Sequence, residues 1–359
     1  MRHLVAACAL LLGVLPVLLG CSAGDAANPT APSVPDSAKI RAVTLDAHRA
    51  PEPDALQRLR ELGATHITLV SFGFQRRMNV PRIRMHDDGD WYSESDTGIH
   101  ALARQARSLG LGLILKPHIW VGDYSAEGQS RSDIAFDTES AWAQWEADYR
   151  RFLMHYAHLA DSTGADVLVI GTELESAVAA RPAFWRGLID SVRAVYDGDL
   201  TYAANWYEAY DRVPFWSALD FVGVQAYFPI SEADDPSMPA LRAGWDAHRT
   251  ALQRVAADAN RPILFTELGY RSVEYAAAEP WTWPRREESR ERSPDYALQA
   301  DLYRAFFDQV MPAPWFAGAI LWKWHPTAEG DRPLGFTPQG KPAEDVIRDG
   351  FTRYRGDVP

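Results

Sequence analysis

Eight short apolar segments rich in β-branched residues recur along the chain, and this recurrence constrains the fold more than any other feature. Nearly continuous apolar runs of this length are typical of parallel strands that are buried on both faces. Parallel strands need long crossover connections, so helices are expected between them. The predicted strands are 42–45, 66–72, 111–120, 167–173, 200–206, 221–228, 262–270 and 316–324.

Amphipathic stretches with apolar residues at three- and four-residue spacing lie between most of these segments and predict helices. The predicted helices are 54–62, 98–109, 141–163, 183–196, 241–257 and 296–310. Gly63, Gly110 and Gly164 each stand where a helix is expected to end in a left-handed residue. The repeated strand–helix unit predicts an α/β fold, a single-domain (β/α)₈ TIM barrel over residues 40–350.

A doubly wound open sheet is the alternative fold, but it normally has fewer strands, and no G-x-G-x-x-G motif follows the first strand. The long links are those that follow strands, at 73–97, 121–140, 229–240 and 271–295. In a barrel these links form the active face, so a cleft is expected there. The charged run 285–292 leaves open whether the last link is ordered or a disordered insertion.

Charge and residue content exclude several classes of function. The formal net charge of −12 argues against a nucleic-acid-binding protein, which would carry a basic surface. Two cysteines cannot form a disulfide scaffold or a four-thiolate metal site, and no motif indicates a metal or another cofactor. The 13 Trp and 14 Tyr exceed what a core requires, and flat aromatic surfaces suit sugar ligands. We expect a monomer with a polysaccharide or oligosaccharide substrate.

The first 20 residues resemble a signal peptide, with a basic start and an apolar run too short to span a membrane well. Leu18 to Cys21 read LLGC, a bacterial lipobox, which predicts that Cys21 becomes the lipidated first residue. Ordinary secretion with a chance cysteine is the alternative. Residues 21–39 are rich in Pro, Ala and Ser and predict a disordered tether. The expected location is a bacterial membrane. Ser22, rather than an aspartate, follows Cys21, which favours the outer membrane or cell surface, although the sequence does not fix the membrane face.

Two glutamates stand at the carboxyl ends of the fourth and seventh predicted strands, Glu173 and Glu267. Their separation of 94 residues matches three barrel units of roughly 30 residues each. Such strands lie on opposite sides of a barrel mouth, so the two carboxylates can face each other. A carboxylate pair is what glycosidic bond cleavage requires. Each glutamate could instead be a solvated strand end, and Glu175 is a competing candidate for the role of Glu173.

These residues lie in strings that resemble a known family. LKPHIW, IGTELES, VQAYF, FTELGY and LWKW are similar to segments of glycoside hydrolase family 113, and the resemblance covers residues 41–349. Members of this family are clan A enzymes, retaining endo-β-1,4-mannanases with TIM barrels. The resemblance implies that Glu173 is the general acid/base and Glu267 the nucleophile.

The resemblance also implies roles for four neighbouring residues. Tyr227 would donate a hydrogen bond to the nucleophile, and Trp322 would form the floor of the subsite that holds the attacked sugar. Lys116 and His118 would bind hydroxyls of that sugar. The alternatives are a polar pair satisfied within the barrel for Lys116 and His118, and core packing for Trp322.

One position departs from the pattern of the clan. The residue before the acid/base is usually an asparagine that contacts the 2-hydroxyl of the sugar, and here it is Thr172. Asn205 is a candidate to supply an amide instead. Trp120, Trp206 and Trp324 end strands at the same face, where they could stack on sugar rings or form an aromatic lid.

We therefore predict a retaining glycoside hydrolase that cleaves a β-linked polysaccharide, with β-1,4-mannan as the expected substrate. Retention requires the two carboxyl groups to lie about 5–5.5 Å apart. The alternatives are another retaining β-glycosidase acting on glucan, xylan or galactan, and a non-catalytic glycan-binding lipoprotein. The sequence does not distinguish endo from exo action, nor does it fix the sugar, the linkage or the oligomeric state.

Overall fold

The computed structural model describes residues 31–52, 54–85, 91–123, 130–207, 209–282, 293–326 and 333–355. Within them, eight parallel strands form a barrel. They are β1 (Ile40–Leu45), β2 (His66–Arg77), β3 (Gly112–Asp123), β4 (Val167–Thr172), β5 (Asp199–Asn205), β6 (Val222–Gln225), β7 (Ile263–Leu268) and β8 (Phe316–Trp324). Each strand pairs with the next along the chain, and β8 pairs with β1, which closes the ring. The predicted (β/α)₈ barrel is confirmed.

Helices cover the outside of the barrel, and every predicted helix is present with ends shifted by a few residues. The described helices are α1 (Ala55–Leu62), α2 (Asp96–Ser108), α3 (Glu139–Thr163), α4 (Glu175–Ala180), α5 (Pro182–Arg193), α6 (Met238–Ala259), α7 (Tyr296–Gln309) and α8 (Pro342–Arg353). Gly63, Gly110 and Gly164 have positive φ angles of 97°, 70° and 57°, as their positions predict. The sequence analysis missed α4 and α8. Among the described residues, no helix combines the length and apolarity needed to cross a membrane.

The barrel interior changes from apolar to polar along each strand. A small buried cluster fills its lower part, separate from the large cluster between strands and helices. Its members are Ile40, Ala42, Ile114, Val167, Val169, Ala203, Leu264 and Ile320. Side chains two residues apart share a face of a strand, so Lys116 and His118 follow Ile114 on the inside, and Asn205 follows Ala203. The polar groups therefore gather at the carboxyl ends of the strands.

Strands β2 and β3 each have 12 residues, whereas β1 has six, so together they rise as a wall above the barrel mouth. A short antiparallel strand, Ile83–Met85, extends the wall by pairing with β2. Phe74 and Trp120 are register partners on this wall and are 38% and 51% exposed. The polar residues at the end of β2 resemble a loop in sequence, which is why the predicted strand ended at residue 72.

The segment that precedes β1 contacts the barrel at the end opposite the carboxyl ends of the strands. The Val34 amide donates to the Pro314 carbonyl at 2.7 Å, and the buried Lys39 donates to the carbonyls of Met311 and Ala313 at 2.6 and 3.1 Å. The segment predicted as a tether, 21–39, therefore includes two residues that are hydrogen-bonded to the barrel, Val34 and Lys39. The signal peptide, Cys21 and the charged run 285–292 lie outside the described residues.

Candidate active site

Glu267, on β7, is buried at the centre of the barrel mouth with both carboxylate oxygens held. Its Oε1 atom lies 2.5 Å from Lys116 Nζ, and its Oε2 atom accepts a hydrogen bond of 2.6 Å from the Tyr227 hydroxyl. Lys116 comes from β3, and Tyr227 stands two residues after β6. Three different strands thus fix one carboxylate, and the Tyr227 contact is the one that the family resemblance implied.

Lys116 has no exposed surface, and all three of its protons go to protein acceptors. Besides Glu267 it donates to Gln225 Oε1 at 2.8 Å and to the Thr266 carbonyl at 3.0 Å. The expected contact of Lys116 with a sugar hydroxyl is therefore wrong. Strand alternation places this lysine inside the barrel, but its position one layer below the mouth makes it a partner of Glu267.

The environment of Glu267 favours the ionised carboxylate. Burial raises the pKa of Glu267, but the charge of Lys116 and the hydrogen bonds from Lys116 and Tyr227 outweigh burial, so the pKa lies below its usual value. Burial lowers the pKa of Lys116, and the charge of Glu267 opposes that change, so we regard the pair as charged. Burial and the neighbouring Glu267 raise the pKa of Tyr227, which therefore keeps its proton and donates it.

Glu173 follows β4 directly, and its backbone is left-handed with φ of 52°. Non-glycine residues seldom adopt this conformation, and such residues cluster at functional sites. The Glu173 amide donates to the Ala203 carbonyl of β5 at 2.9 Å, which anchors the turn. The side chain accepts from Gln225 Nε2 at 3.2 Å on Oε1, and Arg131 Nε lies 3.2 Å from Oε2. Both oxygens of this second carboxylate are also held.

Gln225 joins the two glutamates. Its Oε1 atom accepts from Lys116, which contacts Glu267, and its Nε2 atom donates to Glu173. Both glutamates line one cleft of about 820 Å³. The structure thus brings together the two carboxylates that the sequence places 94 residues apart.

The cleft is lined mainly by aromatic side chains. Six of the predicted binding residues line it: His118, Trp120, Asn205, Trp206, Tyr227 and Trp322. Trp206 stacks on Trp281 with ring centroids 5.0 Å apart, and both residues line the cleft. Among the residues that the structure describes, no group of three or more His, Cys, Asp or Glu side chains is placed to hold a metal ion.

Trp324 does not line this cleft, so its predicted role in stacking on sugars is wrong. It is 3% exposed and belongs to the core between the strands and the helices. The cause is a register shift, because Val43 pairs with Leu321 but Leu45 pairs with Trp324. The extra residue on β8 reverses the alternation after Trp322 and turns Trp324 outward.

Asn205 and Thr172 differ in their access to the cleft. Thr172 is not among the residues that line the cleft, and its buried hydroxyl has no partner within the described part of the chain. Asn205 lines the cleft, and its amide Nδ2 donates to the Tyr207 hydroxyl at 3.3 Å. An amide from β5 is therefore available at the mouth, as the sequence analysis suggested.

Several residues that line the cleft were not predicted as site residues, among them Gln225, Tyr207 and Arg131. Gln225 shares strand parity with Tyr227, and that alternation could have found it. Tyr207 follows the predicted Trp206. Arg131 lies in the long link after β3, where sequence periodicity carries no information about which side chains turn toward the cleft.

Glu175, the competing candidate, lies beside the cleft rather than in its lining. It begins α4, and its Oε1 atom accepts a hydrogen bond of 3.1 Å from the backbone N–H of Asn205. Its Oε2 atom is buried without a partner among the described residues. Burial raises the pKa of Glu175 to about 7, and the nearby Glu173 charge adds to the effect.

This buried carboxyl predicts a stability effect of Glu175→Gln that depends on pH. The folded state holds the proton up to pH near 7, whereas the unfolded state loses it near its usual pKa of 4.5, so the wild type loses stability as the pH rises between them. The loss is about 3 kcal/mol for a shift of this size. We expect urea unfolding to show that the free energy of unfolding of the variant rises relative to that of the wild type between pH 5 and pH 8. An equal gain in the exposed control Glu232→Gln would contradict the assignment.

Comparisons with known proteins identify the family of this chain. The model of Glycoside Hydrolase Family 113 matches residues 45–334. The GH113 β-mannanase AaManA from Alicyclobacillus acidocaldarius, solved in complex with ManMIm, is 28% identical with a TM-score of 0.74, and the match covers 88% of this chain and 98% of that chain. A second GH113 β-1,4-mannanase is 26% identical with a TM-score of 0.73, covering 88% and 99% of the two chains.

A more distant match concerns the fold alone. The glycoside hydrolase family 5 mannosidase from Rhizomucor miehei is 11% identical with a TM-score of 0.60, covering 91% of this chain and 98% of that chain. No curated protein sequence matches the chain. The family match spans most of the sequence, including both glutamates, and the chain therefore belongs to glycoside hydrolase family 113.

Proposed function

We propose that this glycoside hydrolase is a retaining endo-β-1,4-mannanase with Glu267 as nucleophile and Glu173 as acid/base. One observation carries the proposal: Lys116 and Tyr227 contact the two carboxylate oxygens of Glu267, while Glu173 lines the same aromatic cleft. The solved family members at 26–28% identity are β-mannanases, which supports mannan as the substrate.

In the first step the Glu267 carboxylate attacks the anomeric carbon, and Glu173 gives its proton to the departing glycosidic oxygen. The bond between the anomeric carbon and that oxygen breaks, and a glycosyl ester on Glu267 forms. In the second step Glu173 takes a proton from water, whose oxygen attacks the anomeric carbon and releases Glu267. Lys116 and Tyr227 stabilise the charge that returns to Glu267. Two displacements at one carbon retain its configuration.

The length of the cleft supports endo action. A second cavity of about 470 Å³ continues from the first and shares Phe72, Trp120 and Trp322 with it. Phe74, on the raised wall, lines this second cavity. Two connected cavities give room for several sugar units, which favours cleavage within a polymer.

Product analysis on a polysaccharide panel tests the proposal. We expect oligosaccharides from β-1,4-mannan and little release from β-glucan, xylan or galactan. Proton NMR of the first products should show the β-anomer before mutarotation. Release of monosaccharide alone would reject endo action, initial α-anomer would reject retention, and activity restricted to another polymer would reject mannan.

We also propose that lipidation at Cys21 anchors the enzyme to a bacterial membrane, most simply the outer membrane. The lipobox sequence supports the anchor. The chain joins the barrel at the end opposite the cleft, so an anchored enzyme would point its cleft away from the lipid. We expect Cys21→Ser to move the protein from the membrane fraction to the soluble fraction. Membrane retention of that variant would contradict the anchor.

A further inference from the structure

Arg131 occupies a rigid position at the edge of the cleft. It begins a single 3-10 turn, Arg131–Asp133, in the link after β3. Ser130 and Asp133 cap this turn reciprocally, with the Ser130 amide donating to Asp133 Oδ2 at 2.9 Å and the Ser132 amide donating to Ser130 Oγ at 3.2 Å. The backbone that carries Arg131 is therefore fixed before any substrate arrives.

The guanidinium of Arg131 reaches three acceptors at once. Its Nε lies 3.2 Å from Glu173 Oε2, and its Nη1 atom lies 3.1 Å from His118 Nδ1 and 3.2 Å from the Ile119 carbonyl. The side chain is only 22% exposed. A planar guanidinium presents several donors in fixed directions, which a lysine ammonium does not. Arg131 thus ties the second carboxylate of the cleft to the histidine on β3.

This contact determines the protonation of His118. A guanidinium donates and cannot accept, so His118 Nδ1 must accept, and Nε2 must carry the hydrogen of the neutral ring. Burial, together with the charges of Lys116 and Arg131, holds the pKa of His118 well below its usual value, which keeps the ring neutral. His118 lines the cleft, and its Nε2 atom has no partner within the described part of the chain. The N–H group at Nε2 is therefore left for a hydroxyl oxygen of a sugar.

We propose that Arg131 is a positioning residue for the hydrolysis. It fixes the direction of the Glu173 carboxylate and sets His118 in the tautomer that donates from Nε2 to the substrate. The inference rests on the proposed roles of Glu173 and the cleft. It assigns the link after β3 a part in catalysis that is exerted through His118 on β3 and Glu173 after β4.

A double-mutant cycle tests whether Arg131 acts through Glu173. We expect Arg131→Met to lower kcat on mannan by about 10- to 100-fold, because misplacing a catalytic group by an ångström has effects of this size. On 2,4-dinitrophenyl β-mannobioside, whose leaving group needs no proton, the same change should cost less in a Glu173→Ala background than with Glu173 present, and the loss that persists measures the part carried by His118. Equal losses with and without Glu173 would overturn the proposal.

Two further variants separate position from folding. Arg131→Lys keeps the positive charge but loses the planar guanidinium with its fixed donor directions. We therefore expect its kcat on mannan to lie between those of Arg131→Met and the wild type. Arg242→Met removes an arginine paired with Asp308 between α6 and α7, away from the cleft, and should retain wild-type activity. Full recovery with lysine, or an equal loss in the Arg242 control, would contradict a positioning role.

The His118 tautomer gives a readout that needs no substrate. Long-range proton–nitrogen NMR correlations should show hydrogen on Nε2 of His118 in the wild type and a mixture of tautomers in Arg131→Met. Hydrogen on Nδ1 in the wild type, or an unchanged tautomer in the variant, would overturn the proposal. If the wild type cleaves no mannan, the proposed function fails, while this measurement still decides the inference about Arg131.

Discussion

Replacement of Glu267 by alanine is expected to abolish mannan cleavage, with kcat falling by about 10⁴-fold or more. The Glu267 carboxylate is the group proposed to bond to the anomeric carbon. Among the described residues, no other carboxylate contacts Lys116 or Tyr227 in its place. Initial rates on β-1,4-mannan, measured with reducing-sugar release, check this expectation.

The fold should survive this substitution with reduced stability. Glu267→Ala leaves the Lys116 charge buried without its partner, which costs about 3–5 kcal/mol in comparable cases. Circular dichroism and thermal unfolding will show whether the variant is folded. Glu267→Gln keeps the shape of the side chain and should be equally inactive, whereas the exposed Glu232→Gln should match the wild type. Wild-type turnover in either Glu267 variant would refute the nucleophile assignment.

Most of the barrel could be predicted because its physics is periodic. Buried parallel strands need unbroken apolar runs, and outer helices need an apolar stripe, so both leave a regular trace in the sequence. The same regularity placed Glu173 and Glu267 at strand ends on opposite sides of one mouth. The contact of Tyr227 with Glu267 was expected from the family resemblance rather than from this periodicity.

The remaining differences arise where periodicity fails. A one-residue register shift on β8 turns Trp324 into the core, and no residue type at that point in the sequence predicts the shift. The family resemblance assigned Lys116 to a sugar hydroxyl, and alternation, which gives the face of a strand but not the depth, could not show that Lys116 instead contacts Glu267. Arg131 lies in an irregular link, and its contacts with Glu173 and His118 depend on tertiary structure alone.

Removal of the Lys116 charge is expected to damage both activity and stability. In Lys116→Met, burial of Glu267 is no longer opposed by a cation, so the pKa of Glu267 should rise above its usual value. A protonated Glu267 is a poor nucleophile, so we expect kcat to fall by about 100-fold or more at neutral pH, with the acid limb of its pH profile moving to higher pH. A pH series of initial rates measures both effects.

The stability difference between this variant and the wild type should depend on pH. In the wild type the lowered pKa of Glu267 stabilises the fold above the unfolded pKa, and this contribution disappears as the pH falls through the folded pKa. We expect Lys116→Met to cost about 3–5 kcal/mol at pH 7 and less at acid pH. The double variant Lys116→Met/Glu267→Gln removes both charges and should recover most of that stability. If the double variant is as unstable as the single one, the methionine packing rather than the unpaired carboxylate causes the loss.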